Sequence, residues 1–448
     1  MSDFDPLLDK AYTQRLTQLG EKKEIVASED IYNEQGLLLV KKGAPINERI
    51  ADKIVRFKLI KPIESSVDIQ NGVSGNDLYR DITGLIEKNS QALLIHQSTD
   101  VDLALNNLCG LYNTFPILKQ KITVMHEQLP KLYYQTLWVT WLSVVIAENM
   151  NLSRDQLEAC FLGALAHDFG MMHIEPTLLD KRTDLTPAEW RQIQAHTIIA
   201  KKLMENIPGI NPRVALAVYE HHERCDGSGY PQGKFSDQLS LEGQVIALAE
   251  SAIAVLTNRL LPNGRKLRDL MPLLQVNSES HFYDTYKALI LVLKNSDLDE
   301  TPTITDQTLD REIERVKIKN DRLTHMLKCM EAAISTFQDR DDQKLLLSAK
   351  TVLIQVMRIV RGSGILDEGY ARWLDQVQRE KLSFFYREVD DVSLMLDEIE
   401  WHLKRIKKML DAFIERGPAQ DEQLKKMIRT ELQNSPDIAD LANDYSIN

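Results

Sequence analysis

Cysteine is scarce. Cys109, Cys160, Cys225 and Cys329 are the only four in 448 residues, and no pair has CxxC spacing. That excludes a disulfide framework and a zinc knuckle and suits reduced thiols. Positive charge is also short: 54 Lys and Arg stand against 66 Asp and Glu, a formal net charge of −12. Binding to DNA or to an anionic membrane through bulk charge is therefore not expected, although a local basic pocket for a small phosphate ligand remains compatible. The first residues, "MSDFDPLLDK", lack the basic and apolar regions of a signal peptide. No uninterrupted apolar run reaches bilayer length, so no membrane role is expected and the expected location is the cytoplasm. What the chain does have is 43% hydrophobic and 27% charged residues. That is ample material for a core, and the length suits about two to four domains.

Three patterns follow one another along the chain, and together they predict a mainly α protein. Residues 1–75 read as a small α/β unit. "EIVASEDIY" and "LLLVKKG" flank the turn-like "NEQG", which predicts a hairpin. "INERIADKIVRFK" has helical spacing, "PIESSVDI" suits a closing strand, and "QNGVSGND" (70–77) reads as a linker. Residues 78–300 are almost wholly helical in pattern. Ser153 with Gln156 and Thr186 with Glu189 are capping-box pairs, and Asn211-Pro212 opens another helix. From 305 to 433 the spacing becomes heptad-like. One seam runs Leu309, Ile313, Val316, Asn320, Leu323, Leu327, Met330, Ile334, Phe337. A second runs Val392, Leu396, Ile399, Leu403, Ile406, Leu410, Phe413. Between the seams lie two more helical candidates, "KLLLSAKTVLIQVMRIV", closed by Gly362, and "YARWLDQVQREKLSFFYREV". Either an antiparallel bundle within one chain or a coiled coil between two chains satisfies such seams. The seams also make a homodimer an expectation. Residues 434–448 read as a polar tail.

The central region carries the chemistry. "LGALAHDFGMMH" places His167 and Asp168 after an apolar segment, where neither side chain is comfortable unless something satisfies it. His196 follows inside the helix that begins near Thr186. "EHHERCDGSGYP" then supplies His221 and His222 at a helix end, followed by a glycine-rich loop. Taken singly, each has an ordinary reading: a hydrogen-bonded core histidine, a helix cap, a dipole partner, a turn. Imidazoles and a carboxylate in one helical region also suit a first-row metal such as Fe, Mn or Zn.

The order His-Asp, then His after "LTPAEW", then "HHERCDGSGYP" resembles the HD-GYP branch of the HD phosphohydrolase superfamily, over about residues 130–260. The resemblance implies an all-helical central domain with a cluster of two or three metals. It implies hydrolysis of cyclic di-GMP, the metals holding the phosphodiester and activating the attacking water. Carried over, the metal ligands are His167, Asp168, His196, His221, His222 and Glu250, with Asp168 also holding the water nucleophile. Asp226, Gly229, Tyr230, Pro231 and Arg259 would contact substrate.

The match is incomplete. The family's first metal histidine, within "HSxxVA", falls at Gln135, and a metal-binding glutamate one turn earlier falls at Lys131. The lysine of "HDIGK" is Met171. The late aspartate of "ADxFDAL" is Glu250, and its second aspartate is Ile253. His126, the nearest substitute for the lost histidine, lies about nine residues too early for the spacing. The expectation is one divalent ion per chain and weak or no phosphodiesterase activity, in a protein that binds cyclic di-GMP or a related dinucleotide and signals through protein partners. The alternatives are a fully active cyclic di-GMP phosphodiesterase and hydrolysis of some other phosphate ester.

Overall fold

The computed structural model describes all residues except 1–9, 21, 48, 51–53, 55, 182, 184, 336, 338–343 and 435–448. The fold is mainly helical, with a little β-structure near the start. Chain contacts form two compact units. One comprises Met1–His222 with Ser240–Ile253, and the other Glu223–Leu239 with Ala254–Asn448.

In the first unit, strand Ile31–Tyr32 pairs antiparallel with Leu38–Val40 across the predicted turn. Asn33 Oδ1 accepts from the amides of Gln35 and Leu37, at 3.1 and 2.8 Å, and so shapes that turn. The closing strand is Val67–Ile69, paired with Ile25–Ala27. Of the helical pattern at 46–58, residues 48, 51–53 and 55 lie outside those described, and residues 49, 50 and 54 are helical. The stretch read as a linker already contains a helix start. Ser74 and Asp77 cap each other, with Ser74 Oγ donating to Asp77 Oδ2 at 2.6 Å, and the helix Gly75–Glu87 begins there. The helices Pro130–Asn149 and Arg154–Ala166 pack against each other and bury Trp141, Val144, Phe161 and Leu165. The Gln156 side chain accepts from the Ser153 amide and hydroxyl at 3.2 and 2.9 Å.

The helical span Leu241–Asn263 covers 23 residues and is long and apolar enough to cross a membrane by length and composition. The apolar-run reading is corrected to that extent. More than half of its apolar window is buried inside the protein, as in a core helix.

In the second unit, both heptad seams are buried in one core shared by the helices Leu309–Ser335, Lys344–Ser363, Tyr386–Arg416 and Glu422–Gln433. The seams are thus satisfied within one chain, as in an antiparallel bundle, and no longer argue for a dimer. Asn320, the one polar seam position, is buried, and its Nδ2 donates to Ile365 O at 2.8 Å. Two boundaries differ from the sequence pattern. The helix from Lys344 runs past Gly362 and stops at Gly364, whose φ is +66°. The segment 370–389 is not one helix. Glu368–Glu380 ends at Lys381, which adopts φ +49°, and a new helix starts at Tyr386.

A buried histidine makes this unit sensitive to acid. His402 Nε2 lies 3.0 Å from Asn277 Oδ1, and its side chain is almost fully buried. Burial pulls its pKa down to about 4, against the opposing field of Glu398. In the unfolded chain a histidine titrates near its reference value of about 6.5, so the unfolded state takes the proton first as pH falls. Stability is then lost progressively from about pH 6.5 to about pH 4, by about 3 kcal/mol from this group alone. Urea melts at pH 7 and pH 4.5 read this directly. His402→Gln should show a smaller drop than the parent, and equal drops would refute the assignment.

A candidate metal centre

Each histidine of the motif sits at a helix terminus. His167 follows the helix Arg154–Ala166, and His221 follows Pro212–Glu220. His196 is the first residue of His196–Glu205, not an interior residue of one helix from Thr186, because Pro187–Gln194 ends at Ala195. The tight approach of Gly170 accompanies that break. A Cβ on Gly170 would lie 2.0 Å from His196 O, so the turn after Asp168 packs directly on the His196 backbone.

Three rings share one hydrogen-bond pattern. His167 Nδ1 lies 2.6 Å from Ala164 O, His196 Nδ1 lies 2.7 Å from Ile193 O, and His221 Nδ1 lies 2.6 Å from Val218 O. A carbonyl only accepts, so each Nδ1 carries the proton and donates. In a neutral ring Nε2 then carries the lone pair. Burial keeps His196 and His221 neutral by pulling their pKa values down, with the neighbouring histidines adding to the effect on His221. Their Nε2 atoms nevertheless face each other at 3.3 Å. Two neutral rings of this tautomer point lone pair at lone pair, an arrangement that a cation between them relieves. Asp168 Oδ1 is 3.5 Å from His196 Nε2, and it is buried without a hydrogen-bond partner among the described residues.

Asp168, His196, His221 and His222 each offer a ligand atom, and these four atoms lie within 4.8 Å of one another. Their donor set, three imidazoles and a carboxylate, fits a divalent first-row ion. The carbonyls on Nδ1 of His196 and His221 supply the outer support that orients ligating histidines. His167 stands apart from the four. Its Nε2 is 3.2 Å from Asp168 Oδ2. Burial disfavours charge on it, but Asp168 and then Glu250 outweigh that and hold its pKa up at about 9. Burial likewise opposes charge on Asp168, yet the facing histidines, His167 first, bring its pKa down. A proton on His167 and a metal therefore compete for Asp168. Glu250, on the helix Leu241–Val255, brings Oε2 to 3.5 Å from His222 Nδ1.

The degenerate positions stand on two elements. Lys131 and Gln135 lie in the first two turns of Pro130–Asn149, Lys131 exposed and Gln135 half-buried. Among the described residues neither side chain makes a hydrogen bond or ion pair. An exposed lysine is screened by water, so its repulsion of a second ion is weak. Met171 is half-buried in the turn Phe169–His173. Asp226, Gly229, Tyr230, Pro231 and Arg259 belong to the second unit. There Asp226 is fully buried and Arg259 pairs with Glu398.

Sequence reasoning passed over three supporting residues. Gly170 permits the close approach at His196. Glu220, also buried, accepts from the Ser240 amide and hydroxyl at 2.8 and 2.6 Å, tying the His221 helix to the start of the Glu250 helix. Glu223 accepts from the amides of Gln232 and Lys234 at 2.7 and 2.9 Å and so closes the glycine loop. The carboxylates that bracket the pair in "EHHE" are the signal for the last two.

A family model described as an HD domain matches residues 117–286. The cyclic di-GMP phosphodiesterase of Thermotoga maritima is 34% identical over 133 residues, 29% of this chain and 36% of that protein. The cyclic di-GMP phosphodiesterase response regulator RpfG of Xanthomonas campestris is 33% identical over 116 residues, 26% of this chain and 31% of that protein. Through this segment the chain is similar to the HD-GYP family. A 3'3'-cGAMP-specific phosphodiesterase of Vibrio cholerae is also similar to the HD-GYP segment, at 36% identity over 87 residues, 19% of either chain. The matched stretch thus spans little more than a third of these relatives at most. The solved structure of Bd1817, a HDG"Y"P protein from Bdellovibrio bacteriovorus, overlaps 60% of this chain and 95% of its own at a TM-score of 0.33 and 15% identity, too distant to carry weight.

Proposed function

We propose that this HD-GYP-like protein is a cytoplasmic, metal-binding responder to cyclic di-GMP or a related cyclic dinucleotide, with slow or no phosphodiester hydrolysis. The observation that carries the reading is the convergence of Asp168, His196, His221 and His222, with two of the three rings locked in the ligating tautomer. One divalent ion held by this set, Fe, Mn or Zn, would polarise a phosphate oxygen. The chain's own residues orient the donors, exclude water around His196 and His221, and keep a proton on His167 beside Asp168. Slow turnover follows from what is missing: a histidine at Gln135 and a cation at Met171, the family positions for a further ligand and a lysine. Asp226, Gly229, Tyr230, Pro231 and Arg259 are assigned to nucleotide contact in this reading, and signalling would pass to protein partners.

One observation favours full phosphodiesterase activity instead. Glu250 keeps a carboxylate beside His222, and glutamate ligates metals. Incubation of the purified protein with cyclic di-GMP and Mn(II) or Fe(II), read by product chromatography beside a binding isotherm, separates the two. Binding with little product supports the responder. Rapid conversion that Asp168→Ala abolishes supports the enzyme. Neither binding nor conversion overturns both.

A further inference from the structure

The loop 226–232 is held by more than its own residues. Asp226 Oδ1 accepts from the Ser228 amide at 2.8 Å and from the Ser228 hydroxyl, an Asx turn that starts the loop. Gly227 has φ +72°, and a Cβ there would lie 2.6 Å from the Phe235 ring. The other holds come from far along the chain. Arg405, 177 residues later on the helix Tyr386–Arg416, donates through Nη2 to Ser228 O at 3.2 Å and to Ser228 Oγ. Ser348 Oγ donates to Gly227 O at 3.1 Å. The Arg405 guanidinium lies over the Trp401 ring, 5.6 Å from its centroid, one helical turn back. That stacking fixes the donor before it meets the loop. Arg405, Ser348 and Trp401 all lie outside the matched family region, 117–286.

We propose that Arg405 is a positioning residue for the glycine loop, so that the C-terminal bundle sets how ready that loop is to take a cyclic dinucleotide. The nucleotide half of this inference rests on the reading under Proposed function. The physical reason is ordering cost. A loop already held at Ser228 O and Oγ loses less freedom when a ligand arrives than one that must be ordered at binding. A partner that shifts the helix Tyr386–Arg416 would change nucleotide affinity through the same contact, by linkage.

The test uses the full chain and the variants Arg405→Ala, Arg405→Lys and Ser228→Ala. Hydrogen exchange is followed in peptides covering 224–235, and cyclic di-GMP affinity by calorimetry. Arg405→Ala is expected to speed exchange in that loop and leave peptides covering 160–175 unchanged. It is expected to weaken nucleotide binding about tenfold to hundredfold, the range of one or two charge-assisted hydrogen bonds. Arg405→Lys should recover part of both effects. Ser228→Ala should reproduce part of them with the bundle untouched. Unchanged loop exchange in Arg405→Ala overturns the proposal. So does a rise spread evenly over the whole chain, which marks a merely structural arginine, and so does faster loop exchange with unaltered affinity. If the unmodified protein binds no cyclic dinucleotide, the functional reading and the nucleotide half of this proposal fail together. Loop exchange then decides the positioning half alone.

Discussion

Asp168→Ala is expected to abolish divalent-metal binding at this centre. Asp168 is the only carboxylate in the four-donor set, and it brings the only full negative charge. Removing it leaves neutral imidazoles beside His167. Without Asp168 the burial of His167 disfavours its charge, so the ring loses its proton partner as well. Loss of an outer hydrogen-bond partner typically costs roughly tenfold to hundredfold in metal affinity, and loss of the charged ligand itself is expected to exceed that range. Fold should survive, because the helices around it are held by their buried apolar faces. Competition against a chelator of known affinity at pH 7.5 measures the effect. The same titration repeated at lower pH has a definite sign. His167 holds its proton below about pH 9, and that proton competes for Asp168, so affinity in the unmodified protein weakens as pH falls. Asp168→Ala retaining metal within tenfold of the parent would remove Asp168 from the ligand set.

Gly170→Ala should be nearly as damaging, although position 170 offers no ligand atom. The added methyl would sit 2.0 Å from His196 O and 2.6 Å from His196 Cα. Those are backbone atoms, so no side-chain rotation relieves the clash, and either the turn Phe169–His173 or the helix His196–Glu205 must move. Overpacking of a buried site typically costs about 1–3 kcal/mol, occasionally more, and this contact is at the severe end. The displacement acts on Asp168 and His196 together, so a melting temperature lowered by several degrees should come with loss of metal. Thermal melts with and without Zn(II) or Mn(II) distinguish the effects: the parent is stabilised by metal and the variant is not. A Gly170→Ala protein with parental stability and metal response would show that the approach is looser than described.

Some of this was legible in the residues themselves. Capping pairs at Ser153 and Thr186 act over three residues, so their chemistry is visible in a short window, and the helices begin where those pairs place them. The heptad seams are visible for the same reason, although periodicity alone left open whether one chain or two would bury them. The motif histidines were legible as a set, and their tautomers were not, because Nδ1 is fixed by carbonyls three residues earlier only once the helix ends are formed. The breaks at Ala195 and Lys381 carried no signal. Neither is a glycine or proline, and Ala195 marks a place where a turn from elsewhere in the fold packs. Lys381 adopts a left-handed conformation with an ordinary side chain, a boundary that composition does not advertise. Ser74 and Asp77 did carry a signal, hidden inside a glycine- and asparagine-rich stretch that looked like a linker. Arg405 could not have been connected to the glycine loop from sequence, since that contact depends on how the bundle folds back.

The claim at the centre of this account is a single-ion site built by Asp168, His196, His221 and His222. Elemental analysis of the full chain, reconstituted with Mn(II), Fe(II) or Zn(II) and freed of excess metal, tests it most directly. The account predicts about one ion per chain by its four-ligand count, falling to none in Asp168→Ala and in His196→Ala. Two or more tightly held ions per chain, or one ion that persists in both variants, would contradict it.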